Sequence, residues 1–247
     1  MKVSIKIPSS LNEITLGQYQ KFKLIADNLD DGNEFLLQKM LESFCNIELK
    51  HVLLIQRKDV LSIATEINSY FTGKYDLIPR FKIKDVEFGF IPNLDKITQG
   101  EYSDLDTYIT DWNQMHKAMG VLFRPIKEIK KGKYSIMDYQ GTDEFSDMMK
   151  FMPLDVALGA YVFFCRLGSE LLSSTLNFLK EEAKEVVSQW ERSSKQSGGG
   201  ITQSINLLTE KYSTLIESPA NPFTNALPSL PINLKKIKSN SKNSTKV

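Results

Sequence analysis

The sequence predicts an α+β fold, mainly helical, built from two related strand–helix–helix units, with a small β-hairpin in the second unit and a long C-terminal helix that continues into a helical hairpin. Three observations carry this prediction. The pattern Ile-Pro, then Leu, then Ile-Thr-x-Gly-x-Tyr occurs in residues 7–19 and again in residues 91–102. Two strand-like stretches flank the turn residues Lys130-Lys131-Gly132-Lys133. From Pro153 no strong helix breaker appears until Gly198-Gly199-Gly200.

Each copy of the repeated pattern follows a strand-like segment. Val3–Ile7 alternates apolar and polar residues, Val86–Ile91 nearly does, and a proline ends each run. The repeated residues then describe a helix start. Thr15 with Gln18, and Thr98 with Glu101, fit the capping box Ser/Thr-x-x-Glu/Gln. In that device the threonine hydroxyl accepts from a first-turn N–H, and the Gln or Glu side chain returns to the threonine N–H. Ile14 and Ile97 occupy the staple position, opposite Tyr19 and Tyr102. The parallel continues more loosely: Lys39–Cys45 matches Lys117–Phe123, and the helix starts at Asp59-Val60 and Asp155-Val156 correspond. The insert of the second copy, Ile126 to Met152, reads as a hairpin with strands Leu122–Ile129 and Tyr134–Tyr139.

Within the long helix, Cys165, Ser169, Leu172, Leu176, Leu179, Ala183, Val186 and Trp190 follow alternating steps of four and three, a heptad seam. Past the glycines, Ile201, Ile205, Leu208, Tyr212 and Leu215 repeat the spacing. The two seams can close on each other as an antiparallel hairpin, or the first can face a partner. The expected organisation is a first unit over 1–85, a second with the long helix over 86–195, a C-terminal helix over 196–217, and a disordered tail over 218–247. That tail is rich first in proline and then in lysine.

Composition narrows the class of function. The chain is 41% hydrophobic and 25% charged, ordinary for a globular protein. Five lysines and no acid follow Glu217, so the net charge of +1 becomes −4 over residues 1–217. A mildly acidic body speaks against a nucleic-acid-binding fold. Cys45 and Cys165 lie in apolar runs and read as reduced core thiols. No uncharged apolar run approaches the roughly 20 residues that span a bilayer, and the N-terminus lacks a signal peptide, so a soluble cytosolic protein without membrane association is expected.

The sequence carries no catalytic motif. His51 and His116, the two histidines, lack the spaced partners of a metal site. Glu101, Asp104, Asp106 and Asp111 crowd one helix opposite Leu105, Tyr108, Ile109 and Trp112, which reads as an amphipathic surface helix. Arg124 with Lys127, Lys130, Lys131 and Lys133 reads as a solvated basic hairpin. The triple glycine lacks the lysine of a phosphate loop. The expectation is therefore no catalytic residue, no metal, no cofactor and no enzymatic activity.

The segments Phe88–Asp106 and His116–Ile126 resemble proteins encoded among the structural genes of tailed bacteriophages. Residues 14–67 are similar in layout to the tail assembly chaperones of such phages, although the doubled unit departs from their single small domain. The resemblance covers residues 3–170 and implies a non-enzymatic morphogenesis protein that keeps the tape-measure protein soluble while tail tube subunits assemble around it. Its partners would be other phage structural or tail proteins, with a homo-oligomer as a further option, in the host cytoplasm during assembly. The alternative is a structural protein of the mature virion, a tail or connector component. The candidate partner-binding residues are Leu172, Leu176, Leu179, Val186 and Trp190 of the seam.

Overall fold

The structure is a computed structural model that describes residues 5–29 and 33–194, with the side chains of the last helix beyond residue 168 described only in part. Helices α1 (Leu16–Ala26), α2 (Glu34–Phe44), α3 (Leu49–Val52) and α4 (Arg57–Tyr70) make up the first half. Strands β1 (Arg80–Ile83) and β2 (Val86–Phe90) open the second half, followed by helices α5 (Gln99–Tyr108) and α6 (Met115–Leu122). Then come β3 (Phe123–Lys130), β4 (Lys133–Ile136), the short α7 (Ser146–Met149) and the long α8 (Leu154–Ser194). The fold is α+β and mainly helical, with one small four-stranded antiparallel sheet among the described residues.

The sheet runs β1-β2-β3-β4 in chain order. Register pairs Phe81 with Phe88 and Phe90 with Phe123, which gathers an aromatic cluster on one face. Phe123 meets the rings of Phe81 and Phe90 edge-on, each at 5.3 Å. The expected hairpin forms as β3 and β4 around Lys131 (φ 49°) and Gly132 (φ 77°). Positive φ at both central residues of a two-residue loop is the type I′ geometry that matches strand twist, which is why glycine serves at 132. Gly89 in β2 leaves room for the Tyr134 ring, whose edge would lie 2.5 Å from an added Cβ.

Strand β1 carries no turn signal in the sequence, because Lys84 takes the left-handed conformation (φ 52°) where glycine or asparagine would advertise it. The reverse holds for the expected strand Val3–Ile7: residues 5–8 are not in a strand, and Val3 and Ser4 lie outside the described residues. Alternation supplies a face but no neighbour. The sheet's four strands all lie between Arg80 and Ile136, with β1 inside the expected first unit, and Pro8 instead accepts a hydrogen bond from the Tyr70 hydroxyl.

The described residues divide into two compact units at Tyr161/Val162. Both copies of the repeated motif and the opening turns of α8 lie in the first unit. Its core contains Phe22 against Phe44 at 5.1 Å, and Tyr19 between Phe71 at 5.9 Å and Trp112 at 5.2 Å. Trp112 in turn meets Tyr161 at 5.0 Å. Tyr19 belongs to the first repeat and Trp112 to the second, so one aromatic chain links them. Burying each such ring contributes about 1.5–3 kcal/mol. In the second unit α8 continues from Val162 to Ser194. The expected helix over 196–217, its hairpin with α8, and the tail over 218–247 lie outside the described residues.

Candidate functional site

The repeated motif builds the same local object twice. In each copy the leucine opens a 3₁₀ turn, Leu11–Glu13 or Leu94–Lys96, and the following isoleucine N–H closes it. The threonine then caps a helix. Thr15 Oγ1 accepts from Gln18 N at 3.2 Å while Gln18 Oε1 accepts from Thr15 N at 2.8 Å. Thr98 Oγ1 accepts from Glu101 N at 3.3 Å while Glu101 Oε2 accepts from Thr98 N at 2.6 Å. The 3₁₀ turn has no periodicity long enough to read from sequence, although the shared leucine marks it.

The two starts then diverge. Around α1, Leu16 N donates to Met152 O at 2.9 Å, Gly17 N to Lys150 O at 2.8 Å, and Leu154 N to Ile14 O at 2.8 Å. The first-turn N–H groups that every helix leaves orphaned are here absorbed by the segment leading into α8. This contact explains Gly17: a Cβ there would lie 2.9 Å from the Lys150 carbonyl oxygen. Its counterpart Gly100 faces the Tyr139 ring at an ordinary 3.9 Å. The staple also splits. Ile14 and Tyr19 are fully buried, whereas Tyr102 is 56% exposed and Ile97 is half-buried.

What the second start buries instead is charge. Glu101 and Arg124 are 4% and 5% exposed, and Arg124 Nη2 donates to Glu101 Oε1 at 2.5 Å. The Arg124 guanidinium also lies 5.6 Å from the Tyr139 ring centroid, and the Tyr139 hydroxyl donates to Asp104 Oδ2. Glu101 is therefore a buried partner rather than part of a solvated acidic face. Arg124, expected in an exposed basic hairpin, is its counterion. Sequence could not show this: Arg124 is paired across β3 with Gly89 of β2, and only that register turns it inward.

The electrostatics follow the geometry. Desolvation alone would raise the Glu101 pKa, but hydrogen bonds from Thr98 and the charge of Arg124 outweigh it and hold the carboxyl below the usual range. Desolvation and Asp104 push the Tyr139 phenol well above its ordinary range. The arrangement ties the start of α5 to β3 through Glu101 and Arg124, and to the segment after β4 through Asp104 and Tyr139.

Elsewhere, an open groove of about 570 Å³ follows α4 and is lined by Lys58, Leu61, Ser62, Thr65, Glu66 and Ser69. All six lie on one helix, so no polar groups converge on it from facing elements. Among the described residues no group of three or more His, Cys, Asp or Glu could hold a metal ion. No helix among them is long and apolar enough to cross a membrane.

The remaining candidates fall on α8. Leu172, Leu176, Leu179, Val186 and Trp190 lie in this helix, and their side chains lie outside the described residues. The residues described as exposed, among them Arg166, Glu170, Ser174, Phe178, Glu181 and Glu185, step by four or three along α8 at positions offset from the seam. Phe178, 62% exposed, is the large apolar residue of that stripe. No family model, no curated protein and no solved structure matches the chain.

Proposed function

We propose that this chain is a non-enzymatic bacteriophage morphogenesis protein, a tail assembly chaperone that binds apolar helical segments of a tape-measure or tail protein. The observation that carries the reading is α8. A single helix continues through Val162–Ser194, outside the unit that holds both copies of the repeated motif. That length is roughly 50 Å at 1.5 Å per residue. Its heptad spacing from Cys165 to Trp190 is the pattern that takes a partner's apolar stripe in helix-against-helix recognition. The resemblance of Phe88–Asp106 and His116–Ile126 to phage structural-module proteins supplies the biological setting, with action in the host cytoplasm during assembly.

On this reading α8 from Val162 onward is the working surface. Ser169 and Ala183 keep the seam too weak for a free-standing coiled coil, which suits exchangeable binding to a partner. The test is co-expression with a phage tape-measure protein. The full chain is expected to carry that protein into the soluble fraction and to co-purify with it. Leu172→Asp combined with Leu179→Asp is expected to abolish both while α1–α7 keep their fold. A soluble complex that survives the double substitution would overturn the assignment to the seam.

A further inference from the structure

We propose that His116 and Gln20 form an acid-released latch between the two repeats, in which the imidazole accepts through Nδ1 and lets go of α1 when protonated. The Gln20 amide belongs to α1 and is 8% exposed. Its Nε2 lies 2.8 Å from Trp112 O, 3.1 Å from Asn113 O and 3.1 Å from His116 Nδ1. The two carbonyls fix the amide orientation, because turning it over would set the Gln20 oxygen against two acceptors. The group facing His116 Nδ1 is therefore a donor, and Nδ1 must carry the lone pair. The neutral Nε2–H tautomer fits, and the imidazolium does not: both of its nitrogens are donors, so protonation sets N–H against N–H.

The site lies where the repeats meet. Gln20 comes one residue after Tyr19, the ring that packs on Trp112 at 5.2 Å, so the polar and aromatic links share one junction. The charged groups facing the imidazole are Lys117 on its own helix, and Lys150 and Asp147 at α7. Lys150 and Asp147 pair with each other at 2.7 Å, while α1 presents the neutral Gln20 amide. Burial, then the two lysines, hold His116 below the ordinary histidine range, and Asp147 opposes them. Since the folded pKa lies below the unfolded one, the unfolded chain binds more protons between the two values. The latch is then complete above the unfolded pKa and is lost as pH falls through the folded pKa.

The test uses the full chain. The sequence has two histidines, so the ¹⁵N imidazole spectrum of His116→Gln assigns His116 by difference. At about pH 7.5 the wild type is expected to show protonated Nε2 and bare Nδ1, and a titration midpoint below that of a free imidazole. Urea midpoints measured from about pH 7.5 to 5 should fall further for the wild type than for H116Q. A protonated Nδ1 at the higher pH, a midpoint at or above the free value, or parallel urea series for the two proteins would each overturn the proposal.

Discussion

Glu101→Gln isolates the buried ion pair from the helix cap that shares its side chain. Glutamine already completes the equivalent cap in the first repeat, where Gln18 Oε1 accepts from Thr15 N at 2.8 Å. The substitution therefore keeps the capping hydrogen bond and deletes only the charge. What it leaves behind is Arg124, 5% exposed, with Nε already lacking a hydrogen-bond partner. Stranding one member of a buried pair costs about 3–5 kcal/mol, against about 1 kcal/mol for loss of a cap. For a folding unit of this size about 3 kcal/mol corresponds to a fall of roughly 6–12 °C in Tm. Thermal and urea unfolding followed by circular dichroism read the effect. Arg124→Met in the E101Q background should recover most of the loss, since it removes the stranded buried charge while the capping hydrogen bond is kept. The pH dependence adds an independent check. The Glu101 carboxyl titrates lower when folded than unfolded, so its contribution is present above the unfolded value of about 4.3 and lost as pH falls through the folded value. The gap between wild type and E101Q should accordingly close below about pH 4.3. A loss under about 1 kcal/mol for E101Q, or no recovery in the double variant, would refute the account of a desolvated pair.

Thr15→Ala and Thr98→Ala should each cost about 1 kcal/mol by urea denaturation, because each removes the hydroxyl of a complete capping box. Gly159→Ala should destabilise more than either, by loss of Tm in the same assay: an added Cβ would lie 2.2 Å from the Asp76 carbonyl oxygen, and a backbone atom cannot rotate away. Gly17→Ala should be similarly unfavourable through the Lys150 carbonyl, whereas Gly100→Ala, facing open ring contact, should be nearly neutral by the same measurement.

Local chemistry was readable in the sequence because it is spelled in adjacent residues. The two capping boxes need only four positions each, the β3–β4 turn needs Lys131-Gly132, and α8 declares itself by length and period. Features that depend on distant residues were not readable. Nothing near Arg124 in sequence says that it faces Glu101, since β2 pairing decides it. The alternation of Val3–Ile7 resembled a strand, but a strand exists only with a neighbour, and its described residues 5–7 are not in one. Tyr19 and Tyr102 occupy one position of the same motif and end with opposite fates, buried and exposed, because the first repeat packs against Trp112 and Phe71. Gln20 and His116, 96 residues apart, carry no shared pattern at all. The heptad spacing on α8 is a property of the sequence alone, because the side chains of Leu172, Leu176, Leu179, Val186 and Trp190 lie outside the described residues.

The proposed chaperone role is tested most directly by quantitative mass spectrometry of tailed particles purified after the chain has been expressed during their assembly. The account predicts that the protein is abundant in the assembling lysate, bound to the tape-measure protein, and absent from finished particles. A stoichiometric copy number in those particles would contradict it and would identify a structural protein of the virion instead.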